Sequence, residues 1–133
     1  MKITMKRPVS QLPGLILLMG LLTVSIQAQK ATEKFIPINQ SPGLSGEVTV
    51  LGKVEQLQVQ EQVITVIEAG GESRNITCTE KTRVWLDRSA DRKPAQDGAL
   101  RHCQVGRRIE IKFQDNDPAK PAEWVKVQMT GSD

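Results

Sequence analysis

Two cysteines and one histidine are the residues best suited to thiol, metal or acid–base chemistry in this chain: Cys78, Cys103 and His102. His102 and Cys103 are adjacent, and neighbours in an extended segment point to opposite faces, which argues against a shared metal ion. A catalytic relay would lack a second histidine, and Ser73 and Ser89 have no evident base partner. The pattern predicts a surface histidine, no catalytic site, no metal and no cofactor.

The cysteine pair carries a stronger prediction. An even number of cysteines in an oxidising compartment favours a disulfide between Cys78 and Cys103, and the N-terminus of the chain indicates such a compartment. A closed loop of about 25 residues would stabilise the fold by about 3 kcal/mol in the chain-entropy model. Two buried free thiols are one alternative. A redox or metal role is another, although there is no Cys-x-x-Cys spacing to tune a thiolate.

Basic residues are concentrated in residues 81–112, which hold nine bases and four acids. Most of these bases are arginines, whose planar guanidinium can bind carboxylate or phosphate through two hydrogen bonds. We expect Trp85 to be exposed beside two of them. The sequence therefore predicts an edge that meets an anionic ligand, an acidic partner or a membrane surface, formed by Arg83, Trp85, Arg88 and Arg92. The alternative is a solvated surface whose charges are paired internally.

Residues 1–28 have the pattern of a cleavable signal peptide. They begin with three bases and no acid, continue with an apolar run over 15–26, and end at the small residue Ala28. The run is too short to span a bilayer comfortably. We expect cleavage after Ala28, export to the periplasm or the extracellular space, and no transmembrane span afterwards. An uncleaved membrane anchor is the alternative.

Cleavage changes the charge of the chain. Lys2, Lys6 and Arg7 leave with the signal, so the mature chain carries 15 bases and 15 acids. Proteins that bind nucleic acid usually show a clear positive excess, because phosphate neutralisation supplies much of their affinity. The balance argues against a nucleic-acid partner. The charge is segregated, however, with +5 on residues 81–112 and −5 on the rest of the mature chain.

The mature chain suffices for one small domain, and its apolar residues alternate as in strands. Five strand regions are predicted: 46–59, 63–67, 74–86 with a break at 80–81, 108–114 and 122–129. Region 46–59 organises the others, since its apolar residues share a face up to Val54 and change parity at Leu57, with Gly52 as the bend. Residues 29–45 are predicted to be an extended lead, and 87–98 a surface loop.

The pattern resembles that of small exported bacterial domains with OB-like barrels, mostly of unknown function. The resemblance is carried by Gly46-x-Val48, Thr82-x-Val84, Leu100 with Val105-Gly106-x-x-Ile109-Glu-Ile111, and Val125-x-Val127. It implies an all-β, five-stranded OB-like Greek-key barrel over 46–130, and no activity. The pattern is also similar to that of periplasmic copper-carrying OB barrels, but the third strand lacks their Met-x-Met pair.

Two hypotheses about function follow. The first is an exported, non-catalytic binding or interaction module that meets an unknown protein or anionic ligand through its arginine-rich edge. The second is a periplasmic metal-handling protein that uses His102, the cysteines or Met129.

Overall fold

The computed structural model describes residues 32–130, and the predicted signal peptide and the cleavage site lie outside this range. These residues form a single mixed sheet of seven strands in the order β3-β2-β1-β6-β7-β4-β5. The strands are β1 (Thr49–Gln58), β2 (Val63–Glu68), β3 (Ser73–Thr77), β4 (Arg83–Asp87), β5 (Gln96–Asp97), β6 (Arg108–Phe113) and β7 (Ala122–Gln128). Between residues 34 and 130 the only helical elements are short 3₁₀ turns. Over the described residues, no helix has the length and apolarity needed to cross a membrane.

The all-β prediction is confirmed, but the strand count and the closed barrel are not. The third predicted region divides into β3 and β4, and the predicted loop 87–98 contains β5. The sheet is open, because β3 and β5 lie at its two ends with one neighbour each. All neighbouring strands are antiparallel except β4 and β7, which are parallel.

The sheet is open but strongly coiled. In a flat sheet β3 and β4 would lie five strand spacings apart, about 24 Å. The connection from Thr77 to Arg83 spans six Cα–Cα steps and reaches at most about 22 Å when fully extended. It is not extended, because Thr82 N donates to Thr79 O at 3.0 Å. Cys78 N also bonds Gln62 O beside β2 at 2.8 Å. The sheet must therefore curl to bring its ends together.

Strand β1 links the two halves of the sheet, as its sequence predicted. Its first half pairs with β6 and its second half with β2, and Gly52 pairs with both neighbours. A register shift between Val54 and Gln56 explains why the apolar parity changes before Leu57.

The concave side of the sheet holds one apolar core, built from alternate residues of every long strand. Its buried members are Val50, Val54, Ile64, Val66, Ile76, Cys78, Val84, Leu86, Cys103, Ile109, Ile111, Phe113, Ala122, Val125 and Val127.

The opposite side of β4, β6 and β7, the outer face, is covered by residues 33–48, which we call the strap. Residues 29–45 were predicted to be an extended lead and 46–48 the start of the first strand, but the strap folds as a series of turns. Lys126, 1% exposed, donates to Glu33 Oε1 and to Ile36 O, both at 2.8 Å. The Ser41 hydroxyl bonds the same Glu33 carboxylate. A buried lysine on β7 thus holds the first turn of the strap.

Two buried carboxylates hold the rest of the strap. Glu110, 0% exposed, accepts hydrogen bonds from Asn39 N at 3.0 Å, Ser45 Oγ at 2.7 Å and Thr49 Oγ1 at 2.8 Å. Asp87 accepts from Ile38 N at 2.9 Å. A buried carboxylate is tolerated when its oxygens accept hydrogen bonds, and these two accept from backbone and hydroxyl groups of the strap and of Thr49.

Candidate functional site

Trp85 does not belong to an exposed ligand edge. Strand alternation places it on the outer face, where it is 5% exposed. Its ring stacks on Trp124, with centroids 5.4 Å apart and an interplanar angle of 27°. The ammonium of Lys126 lies 4.8 Å from the centroid of Trp124. The prediction that Trp85 is exposed is therefore wrong, because the outer face packs under the strap and not against solvent.

The three predicted arginines are accessible but do not form one site. Arg83 and Arg92 are exposed and Arg88 is half-buried. Arg83 begins β4 beside Trp124, and Arg88 follows the end of that strand. The Cα atoms of Arg83 and Arg88 are five residue steps apart, which corresponds to about 16 Å along an extended strand. No small ligand can contact both, so the strand divides the predicted set between two ends of the sheet.

Most bases of residues 81–112 lack an acidic partner. Within the described part of the chain, no ion pair is formed by seven of them, namely Lys81, Arg83, Arg88, Arg92, Lys93, Arg101 and Arg108. Three of the four acids of this segment are occupied elsewhere, since Asp87 and Glu110 hold the strap and Asp97 pairs with Lys34 at 3.1 Å. A surface with internally paired charges is not what the structure shows.

Three bases converge on one groove of about 510 Å³, which we call the basic groove. It lies where β6 begins and β7 ends, and among residues 32–130 no acidic side chain lines it. Its lining residues are Lys53, Gln104, Val105, Gly106, Arg107, Arg108, Gln128 and Thr130.

Strand register explains this convergence. Lys53 of β1 and Arg108 of β6 are directly paired, so their Cβ atoms lie about 5 Å apart. Both side chains are exposed. Arg107 reaches across the groove floor, where Nη1 donates to Gln128 O at 3.3 Å and Nη2 to Gln104 Oε1 at 3.4 Å. The groove thus presents ammonium and guanidinium groups to anything that enters it.

The loop before β6 holds the groove open. Gly106 has φ = +92°, a left-handed conformation that favours glycine. Its N–H donates to Val54 O at 2.8 Å, and Val54 N donates back to Arg107 O at 3.0 Å. These two bonds fix the loop on β1 and leave Val105 at its tip, 68% exposed. The groove therefore offers an apolar contact beside its charges.

Arg88 and Arg92 extend this basic end of the sheet. Asp87 pairs with Gln128, which lines the groove, so the end of β4 lies beside it. Arg88 follows directly, and Arg92 lies at the end of the next 3₁₀ turn. The sequence identified these two residues but missed Lys53, which only the pairing of β1 with β6 brings to Arg108. The charge segregation of residues 81–112 was the signal that pointed to this region.

The predicted disulfide is not formed in the structure. Cys78 and Cys103 are free thiols, both buried in the core, as in the first alternative considered from the sequence. Burial raises the pKa of Cys78 to about 11, opposed by a hydrogen bond from Thr82. Burial, with the neighbouring Cys78, raises the pKa of Cys103 to about 12 against the attraction of Arg107. Protonated, buried thiols are poor nucleophiles and poor metal ligands.

We expect both thiols to resist alkylation in the native protein. A pKa near 11 leaves about one thiol in a thousand ionised at pH 8, and iodoacetamide should react at least about a hundredfold faster in urea. Because both pKa values are raised, native reactivity should increase with pH, first at Cys78, which lines a cleft of about 190 Å³. Intact mass with peptide mapping measures this. If denatured, unreduced protein contains no free thiol, the disulfide prediction is right.

The other candidate metal ligands do not converge. His102 is half-buried, and its Nδ1 accepts a hydrogen bond from the backbone N–H of Ala99 at 3.0 Å. Met129 packs against the core. Among residues 32–130 there is no group of three His, Cys, Asp or Glu side chains placed to hold a metal ion. Nothing in the described geometry favours the metal-handling hypothesis over the basic groove.

Comparison with protein-family models, curated proteins and solved structures finds no match for this chain. The candidate site therefore rests on its own geometry: a groove with three bases, no acid among its described lining residues, and further arginines beside it.

Proposed function

We propose that this protein is an exported, non-catalytic binding module whose basic groove receives an anionic ligand or an acidic segment of a partner. The observation that carries the proposal is the direct pairing of Lys53 with Arg108 in a groove that has no acid among its described lining residues. Like charges placed side by side repel one another, and an anionic ligand relieves that repulsion. Arginine adds directional, two-point hydrogen bonding to carboxylate or phosphate.

The fold that supports this groove is, in our proposal, an opened OB-like arrangement. Two features support it: β1 pairs with both β2 and β6, and β4 lies parallel to β7 after the short connection from β3. OB-type folds are partly open Greek-key barrels that bind ligands on a strand face and its loops. Such folds host many functions, so the groove and not the fold defines the proposed activity.

Charge reversal in the groove tests the proposed function. Lys53→Glu with Arg108→Glu should weaken the binding of at least one anion about tenfold or more, which corresponds to 1.4 kcal/mol. The panel is a glutamate-rich peptide, polyphosphate, a sulfated polysaccharide and vesicles rich in phosphatidylglycerol, each at low and physiological salt. Binding by the unmodified protein should weaken as salt rises, since exposed charges are screened.

The matched control reverses two bases that already have acidic partners. Arg74 pairs with Glu68 at 3.1 Å and Lys120 with Asp115 at 2.7 Å, and neither lines the groove. Arg74→Glu with Lys120→Glu makes the same change in net charge and should alter binding by less than about threefold. The proposal fails if the two double variants bind every anion equally, with folding of each checked by circular dichroism.

A further inference from the structure

We propose that the basic groove takes an extended acidic peptide segment in which an apolar residue lies between acidic ones. This inference rests on the proposed function and names the ligand class of the same site. Three features of the described surface carry it: the scarcity of exposed aromatic rings, the spacing of the bases, and the exposed valine at the groove.

The scarcity of exposed rings separates a peptide from polymers that bind by stacking. Both tryptophans are buried against each other beside the strap. Over residues 32–130, the one exposed aromatic residue is Phe35, on the strap, with the Lys34 ammonium 5.4 Å from its ring centroid. Single-stranded nucleic acids gain about 1–3 kcal/mol per base from aromatic stacking. The groove offers no such platform, so its ligand must be recognised by charge, hydrogen bonding and aliphatic contact.

The spacing of the bases matches an extended peptide. Lys53, Arg108 and the end of β4 near Arg88 lie on successive or next-neighbour strands of one sheet end. Strands are about 4.8 Å apart, so these bases recur over roughly 5–15 Å across the sheet. In an extended peptide, alternate side chains on one face repeat every 6.6–6.8 Å, approximately. Carboxylates two residues apart can therefore reach successive bases with long, flexible side chains.

The exposed valine favours a peptide over a purely charged polymer. Val105 stands at the loop tip, 68% exposed, in the lining of the same groove. An extended peptide that alternates acidic and apolar residues has its carboxylates on one face and its aliphatic side chains on the other. A segment lying in the groove between Arg108 and Val105 can therefore contact the first with its acidic face and the second with its apolar face. Burial of apolar surface contributes about 25 cal/mol per Å², a gain that phosphate and sulfate groups cannot supply.

Two labelled peptides of equal charge test this directly: ten residues of alternating glutamate and leucine, and ten of alternating glutamate and serine. Fluorescence anisotropy with the full mature chain should show binding of both, and about fivefold or more tighter binding of the leucine peptide. Val105→Ser should remove that preference. Lys53→Glu with Arg108→Glu should weaken both peptides about tenfold or more.

Other outcomes overturn the inference in distinguishable ways. If polyphosphate, the sulfated polysaccharide or the vesicles bind in a manner sensitive to the double reversal while neither peptide binds, the peptide class is wrong and the proposed function stands. The inference is also wrong if the double reversal leaves the affinity for both peptides unchanged, or if the serine peptide binds as tightly as the leucine peptide. In either case the groove does not recognise alternating acidic and apolar residues. If no anion binds, both proposals fail.

Discussion

Replacing Glu110 with alanine is expected to lower the free energy of unfolding by about 3–5 kcal/mol, because each buried donor left without an acceptor costs about 1–3 kcal/mol. Glu110 is fully buried and accepts hydrogen bonds from Asn39 N, Ser45 Oγ and Thr49 Oγ1. Its loss leaves Asn39 N and Ser45 Oγ without an acceptor and Thr49 Oγ1 with only the longer bond to Leu44 O at 3.3 Å. It also opens a cavity beside Lys126, its cross-strand neighbour. Small domains are stable by about 5–15 kcal/mol, so the variant should be marginal.

Urea unfolding of the protein measures this loss, and Glu123→Ala is its matched control. Glu123 lies on the adjacent strand and pairs with Lys112 at 3.4 Å with both side chains partly exposed, so its removal should cost less than about 1 kcal/mol. Limited proteolysis should also cut the strap of Glu110→Ala sooner than any other segment. Equal stability losses in the two variants would show that the strap does not depend on Glu110.

The strap shows what strand alternation leaves undetermined. Alternation in residues 108–114 correctly separated Ile109 and Ile111 from Glu110. The pattern defines which residues share a face but not what covers that face. The cover comes from bonds of very long range, such as that from Lys126 to Glu33, 93 residues apart. Turn-rich sequence in residues 33–48 gave no periodic signal of this contact.

The strand regions themselves were predictable because their apolar spacing is local. Each long strand lies within a predicted region or extends beyond it by one residue, and the register of β1 shifts between Val54 and Gln56, where the parity change indicated. The two-residue strand β5 was missed, since two residues carry no periodicity. Local apolar spacing also could not show whether the sheet closes into a barrel, because closure depends on how far the sheet coils between β3 and β4.

The sequence predicted that the candidate site is basic, but it did not predict which residues form it. Composition located the excess of arginine in residues 81–112, and Arg88 and Arg92 do lie at the basic end of the sheet. Alternation correctly placed Trp85 on the face opposite Val84 and Leu86. Its exposure was predicted wrongly because the sequence did not show that the strap covers this face. Lys53 lies outside the basic segment, so only strand pairing could bring it to Arg108.

Replacing Gly52 with alanine should destabilise the fold by about 3 kcal/mol, the upper part of the range for overpacking. A Cβ at this position would lie 2.3 Å from Ile67 O and 2.7 Å from Val66 Cγ1. The first of these atoms is backbone of β2, so relief requires β1 and β2 to separate where Gly52 pairs with both β2 and β6.

Gly70→Ala is the control for that variant, because a Cβ there meets no atom within 4 Å and the turn should tolerate it within about 0.5 kcal/mol. Urea unfolding compares the two free energies, and amide hydrogen exchange should show faster exchange in β2 of Gly52→Ala. Equal stability of the two variants would mean that β1 can move away from β2 at no cost. The close approach at Gly52 could not then be what couples the two halves of the sheet.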